Sequence, residues 1–244
     1  MRPLSARSLV LSTLLGSRPP VRTGASLVAI GQLFGIPAGT VRVALSRMVA
    51  DGELIGDGGT YALAESFTGR RSALDAGRVV RRGSWDGTWW TVVALSDRRA
   101  LADRRAFRAA MAAAVLGELR PDVWMRPTNL PVTIDDPELM LGRGRRDGAA
   151  GVELAQRLWD LPALRTRLQT LGEETERAID LLDGDDPTVA AETFVISVAV
   201  TRALATEPQL PDELVGDDWP ADALRARYDV LARRHGRAFA RVHV

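Results

Sequence analysis

Between Thr40 and Arg47 the sequence sets a threonine, two arginines, a valine and a serine at spacings that a helix would sort by direction. At about 100° per residue, Val43 and Arg47 point the same way, with Arg42 and Ser46 on one flank and Thr40 on the other. Val41, Leu45, Met48 and Val49 fall on the opposite, apolar face. The set holds no nucleophile with an adjacent base, so its chemistry is recognition. A guanidinium can bond guanine O6 and N7 together, hydroxyls can bond bases or phosphates, and a small apolar group can meet a base methyl. That combination is expected to read the major groove of duplex DNA. The bland alternative is a fold of the same shape used for protein contacts.

Other chemistry has little material. The chain has no cysteine, which removes disulfides, thiolate metal sites and cysteine nucleophiles. Its two histidines, His235 and His243, both lie near the C-terminal end. The acid pairs Asp135-Asp136 and Asp185-Asp186 each precede a proline and read as turns or helix starts. Gly142-Arg-Gly144 with Gly148 has the wrong spacing and context for a dinucleotide fingerprint. No cofactor, no bound metal and no enzymatic activity are expected.

The elements that must position the reading face are legible around it. Ser5 caps a first helix that Gly16 ends. Gly31 is small where two helices must approach, and Gly35 supplies the positive φ that turns the chain. Glu53-Leu-Ile55 and Thr60-Tyr-Ala-Leu63 bracket Gly56-Asp57-Gly58-Gly59, the pattern of a hairpin whose tip, at Gly58, can approach DNA. Helix, helix, turn, helix, hairpin is the order of a winged helix-turn-helix, assigned to residues 1–66. Residues 67–84 read as an arginine-rich linker, in which Arg70 and Arg71 can lie along phosphates.

From 85 to 150, a strand (Trp89 to Leu95), a helix (Leu101 to Leu116) and a strand (Gly117 to Met125) suggest half of a ferredoxin-like α/β domain, with a looser stretch from Pro131 to Gly151. Residues 151–244 read as a helical C-terminal domain. There Leu164, Leu168, Leu171, Thr175, Ala178 and Leu182 form one stripe; a second helix starts at Pro187 and a third, carrying Leu224, Tyr228 and Leu231, follows Trp219-Pro220. The fold class is α+β.

Charge agrees with this division. The chain of 244 residues has a net charge of only +1, yet residues 1–82 hold eleven arginines against five acids. A basic N-terminal third suits a polyanionic partner. Arg2 and Arg7 before Leu9-Val-Leu11 mimic a leader, but Ser12, Thr13 and Arg18-Pro-Pro20 break the pattern. No stretch reads as about 18 consecutive apolar residues, so a soluble, cytoplasmic chain without a membrane partner is expected.

Several motifs carry a resemblance along nearly the full length. Ser5-Ala-Arg-Ser8, Gly35-Ile36, Thr40 to Met48, Asp51-Gly-Glu-Leu54, Trp85-Asp-Gly-Thr-Trp89, Val123-Trp-Met-Arg-Pro-Thr-Asn129, Leu158-Trp-Asp-Leu161, Glu207 to Leu214 and Asp218-Trp-Pro220 keep the order found in the PaaX-like family of phenylacetate-catabolism repressors. The resemblance implies a homodimeric repressor released from double-stranded operator DNA by phenylacetyl-CoA or another CoA thioester. It implies a middle domain similar to a small CRISPR-adaptation nuclease and a helical C-terminal domain. For the effector it points to Trp89, Trp124, Arg126 and Asn129, with Arg126 facing a phosphate or carbonyl. One departure stands out: Val198-Ala-Val-Thr-Arg202 replaces a His-Glu-aromatic-Arg-like stretch, which predicts an altered effector, or none, if that stretch binds it. The enzyme alternative is a metal-dependent nuclease using Asp97 at the end of the first middle strand. Against it, Ser96-Asp97 also reads as a helix cap.

Overall fold

The computed structural model describes residues 4–17, 19–80, 82–95, 101–134, 136–184 and 186–242, without the side chains of Arg70 and residues 101–106. In chain order the elements are α1 (Ala6–Gly16), β1 (Val21–Thr23), α2 (Gly24–Leu33), α3 (Ala38–Ala50), β2 (Leu54–Asp57), β3 (Thr60–Leu63), α4 (Thr68–Arg78), β4 (Thr88–Ala94) and α5 (Leu101–Ala113). There follow β5 (Gly117–Arg120), β6 (Val123–Pro127), β7 (Leu139–Arg145), α6 (Gly148–Leu158), α7 (Leu161–Leu181), α8 (Pro187–Thr206), α9 (Asp212–Val215) and α10 (Ala221–Ala240). Mixed helix and antiparallel sheet make this an α+β chain.

Two compact units divide the residues. The first joins 1–75 to 170–202 and 223–244; the second joins 76–169 to 203–222. These units cut across the segments read from sequence, because part of the C-terminal helices shares a core with the N-terminal residues.

In the first unit, Ser5 caps α1 by accepting a hydrogen bond from the Ser8 N–H, and Thr23 caps α2 through Ser26. Val10, Leu11, Leu14, Leu27, Val41, Leu45, Met48 and Leu54 form the core under α1, α2 and α3. A second core brings Leu9 and Ile30 together with Ala178 and Leu182 of α7 and its end, Ala190, Phe194 and Val198 of α8, and Leu231, Ala238 and Phe239 of α10. The helical stripes are therefore buried within one chain. His235 is 4% exposed in this region, with its ring stacked on Phe239 and edge-on to Phe194. By length and composition α8 could cross a membrane, which corrects the expectation that no stretch could. Its buried residues Ala190, Phe194 and Val198 serve this core instead.

In the second unit the sheet order is β5-β6-β4-β7, all antiparallel. The stretch expected as one strand, Gly117 to Met125, is a hairpin: Asp122 takes φ 66° after Pro121 and the chain reverses. β7 lies inside the stretch expected to be loose, and turns rather than a helix occupy the described residues between β6 and β7. The 67–84 linker is also corrected, since Thr68–Arg78 is helical. Gly77 permits this: a Cβ there would lie 2.5 Å from the Leu204 carbonyl oxygen, so only glycine allows the backbones so close.

Candidate nucleic-acid interface

The reading helix is set by two glycines. At Gly31 a Cβ would sit 2.5 Å from Val41 Cγ2, so α2 can pack on α3 only without a side chain there. Gly35 takes φ 69°, and the Ile36 N–H returns to the Gly31 carbonyl at 3.0 Å, closing the end of α2. The chain then enters α3 at Ala38 after Pro37. Val41, Leu45 and Met48 are 1–2% exposed and pin the inner face of α3 to the core.

Thr40, Arg42, Val43, Ser46 and Arg47 are all exposed on the outer side. Neither Arg42 nor Arg47 has an ion-pair or hydrogen-bond partner among the described residues. Val49 departs from expectation. By spacing it belongs to the core face, yet it is 38% exposed, because it lies at the edge of that face, beside Gly56 of β2. A guanidinium pair, two hydroxyls and an exposed valine on one helix face can bond base edges and phosphates without any proton transfer.

The hairpin beside α3 pairs Leu54 with Leu63 through Asp57 with Thr60. Gly58 and Gly59 take φ 53° and 85°, the two positive values a tight two-residue turn needs. Gly58 is exposed at the tip. β1 adds a third strand through Val21–Ala62 to Thr23–Thr60, and the ring of Tyr61 fills the space over Gly24. Arg7 holds the approach to the hairpin: its Nε donates to Glu53 Oε2 at 2.9 Å. The hydrogen bond and charge of Arg7 keep the Glu53 carboxyl below the usual carboxylate range.

The two arginines expected along phosphates lie on α4. Arg71 is half-buried and faces Asp75 at 3.8 Å, one turn on, so part of its charge is answered within the protein.

The residues named for an effector are interior. Trp89 is 0% exposed and donates from Nε1 to the Arg146 carbonyl at 2.8 Å. Trp124 packs with Val92, Met111, Leu116 and Val132, edge-on to Phe107. Arg126 is 2% exposed and donates to the carbonyls of Ala114 at 3.0 Å, Pro127 at 3.4 Å and Pro208 at 3.4 Å. Its guanidinium thus organises backbone carbonyls in the interior, at the position where the resemblance implies an effector's phosphate or carbonyl. Asn129 Nδ2 donates to the Gln209 carbonyl at 2.7 Å, while its buried Oδ1 has no partner among the described residues. Gln209, at φ 50°, in turn reaches the carbonyls of Ala76 and Val79, and Glu207 accepts from the Trp219 indole at 3.1 Å. In the sequence this network shows only as three separate motifs, those ending at Asn129, running from Glu207 to Leu214 and centred on Trp219; no periodicity signals that they form one buried polar cluster.

Asp97 lies outside the described residues, as do Asp135 and Asp185. Asp136 and Asp186 accept from backbone N–H groups two residues on, at 2.9 and 2.8 Å, as turn and helix-start carboxylates do.

Comparison with known proteins adds two family models. One described as PaaX-like protein matches residues 5–67, and one described as PaaX-like protein C-terminal domain matches residues 159–243. Among solved structures, the uncharacterized protein Rv0674 from Mycobacterium tuberculosis is similar, with 32% identity and a TM-score of 0.70 over 98% of this chain and 99% of that one. No curated protein matches.

Proposed function

Since the chain belongs to the PaaX-like protein family, we propose that it is a transcriptional regulator of phenylacetate catabolism, a repressor that grips duplex operator DNA. The observation that carries this reading is the exposed face of α3, with Arg42 and Arg47 unpaired among the described residues beside Thr40, Val43 and Ser46. In the proposal residues 1–66 act as a winged helix-turn-helix: α3 enters the major groove and the Gly58 tip approaches the neighbouring backbone. Arg70 and Arg71 of α4 serve the phosphates, Arg71 at the expense of its contact with Asp75. The middle sheet supports a ferredoxin-like reading through its strand order, with the second helix of that motif replaced by turns.

A two-fold homodimer on inverted half-sites belongs to the same reading. The C-terminal stripes are consumed inside the single chain, so the contact is sought elsewhere. β7 supports it as an edge strand of seven residues with Met140 and Leu141 exposed, whereas Gly117 on the opposite edge lies under Leu158 and Trp159. Release by an aryl- or acyl-CoA thioester rests on the family alone, because Trp89, Trp124 and Arg126 are interior.

The test is duplex selection from a random pool, followed by gel shift with and without magnesium or manganese. A specific, uncut complex is the expected outcome. Metal-dependent cleavage would favour a nuclease, and neither binding nor cutting would leave a protein-interaction role.

A further inference from the structure

The outer face of α3 carries one apolar side chain at its centre. Val43 is 50% exposed, with Arg42 beside it, Ser46 and Arg47 one turn later, and Thr40 one turn earlier. A β-branched residue is a poor choice for an exposed helix position, where it restricts its own rotamers and covers nothing. The space before it is open: a Cβ at Gly39 would meet nothing within 4 Å, so α3 can approach a surface closely at this point. The flanking cations state what that surface is, a polyanion.

Resting on the DNA-reading proposal, we propose that Val43 is a specificity residue that reads a thymine through its 5-methyl group. In the major groove thymine alone presents a methyl, while cytosine presents an amine donor at N4. Valine has no acceptor, so cytosine would leave that donor without a partner, and thymine would bury methyl against methyl. Val43 and Arg47 are four residues apart, about 6 Å along the helix axis. That distance is close to two base-pair steps of 3.4 Å. The thymine therefore lies within about two base pairs of the guanine that Arg47 contacts.

The experiment uses the full chain and a duplex it selects from a random pool. Each thymine is replaced in turn by deoxyuridine, which removes only the methyl, and dissociation constants are measured for wild type, Val43→Ala and Arg47→Ala. Wild type should lose about fourfold at one thymine per half-site, the weight of one buried methyl-sized group. Val43→Ala should bind the thymine and uracil duplexes equally at that position, and Arg47→Ala should keep the difference. Circular dichroism checks that the exposed substitutions leave the fold intact. Wild-type binding indifferent to every uracil, or a uracil penalty that survives in Val43→Ala, overturns the assignment to Val43 and leaves DNA reading standing. Failure to select any duplex removes both.

Discussion

Acidification should loosen the first unit through a single histidine. His235 of α10 turns its ring toward α8, with Nε2 2.9 Å from Thr193 Oγ1 and Nδ1 3.0 Å from Ser197 Oγ. Thr193 already donates its one hydroxyl proton to the Val189 carbonyl at 2.9 Å, so it accepts from His235 Nε2–H. Nδ1 then accepts from the Ser197 hydroxyl, and the neutral ring is fully satisfied. A proton on Nδ1 would face that hydroxyl proton and bring a charge among Phe194 and Phe239. Burial accordingly pushes the His235 pKa down from 6.5 to about 4.

The sign follows from linkage. The unfolded chain binds the proton at higher pH than the folded one, so the contribution is complete above pH 6.5 and is lost as pH falls toward 4. At about 1.36 kcal/mol per pKa unit, the loss is about 2 kcal/mol by pH 5 and about 3 kcal/mol near pH 4. Urea unfolding at pH 8 and pH 5, for wild type and His235→Gln, isolates this share from the other titrating groups. The variant should lose about 2 kcal/mol less than wild type between the two pH values. Equal losses in both proteins would refute the reasoning.

Gly31→Ala should lower stability by about 1–3 kcal/mol, since its methyl collides with Val41 Cγ2 and the two helices must separate; thermal unfolding reads the loss, and gel shift should show weakened DNA binding. Titrating the protein–DNA complex with phenylacetyl-CoA, other thioesters and the free acids should release DNA with a thioester only; no release at millimolar thioester, or equal action of the acids, ends the effector reading. Light scattering at micromolar concentration should give a dimer that Met140→Glu in β7 weakens, and a wild-type monomer would count against both the dimer and the inverted half-sites.

What the sequence made legible was local. Gly31 and Gly35 forced one close approach and one positive φ, so the turn between α2 and α3 could be placed to the residue. The stripes of α7 and α10 were visible because Leu168, Leu171, Ala178, Leu224 and Leu231 repeat at helical spacing. The errors arose where a residue type has two uses. Glycines within 67–84 suggest a linker, but Gly77 sits in α4 to admit the Leu204 carbonyl. Gly142 and Gly144 hid β7, and the turn at Asp122 hid the β5–β6 hairpin inside a single apolar run. The resemblance points to Arg126 as an effector contact, and nothing local shows that the carbonyls of Ala114 and Pro208 converge on it. Sharing of one core by residues 1–75 and the C-terminal helices is likewise a long-range property, invisible to periodicity.

Everything turns on whether α3 reads bases. The most direct measurement is the affinity of Arg47→Ala for the duplex that wild type selects, beside the affinity of each for a scrambled duplex. Arg47 is exposed and faces away from Val41 and Leu45, so folding should be unchanged. Specific binding should weaken by about 1–3 kcal/mol, with relaxed preference at one guanine and little change on scrambled DNA. Undiminished affinity and unaltered base preference in Arg47→Ala would mean that this face of the helix does not read the operator.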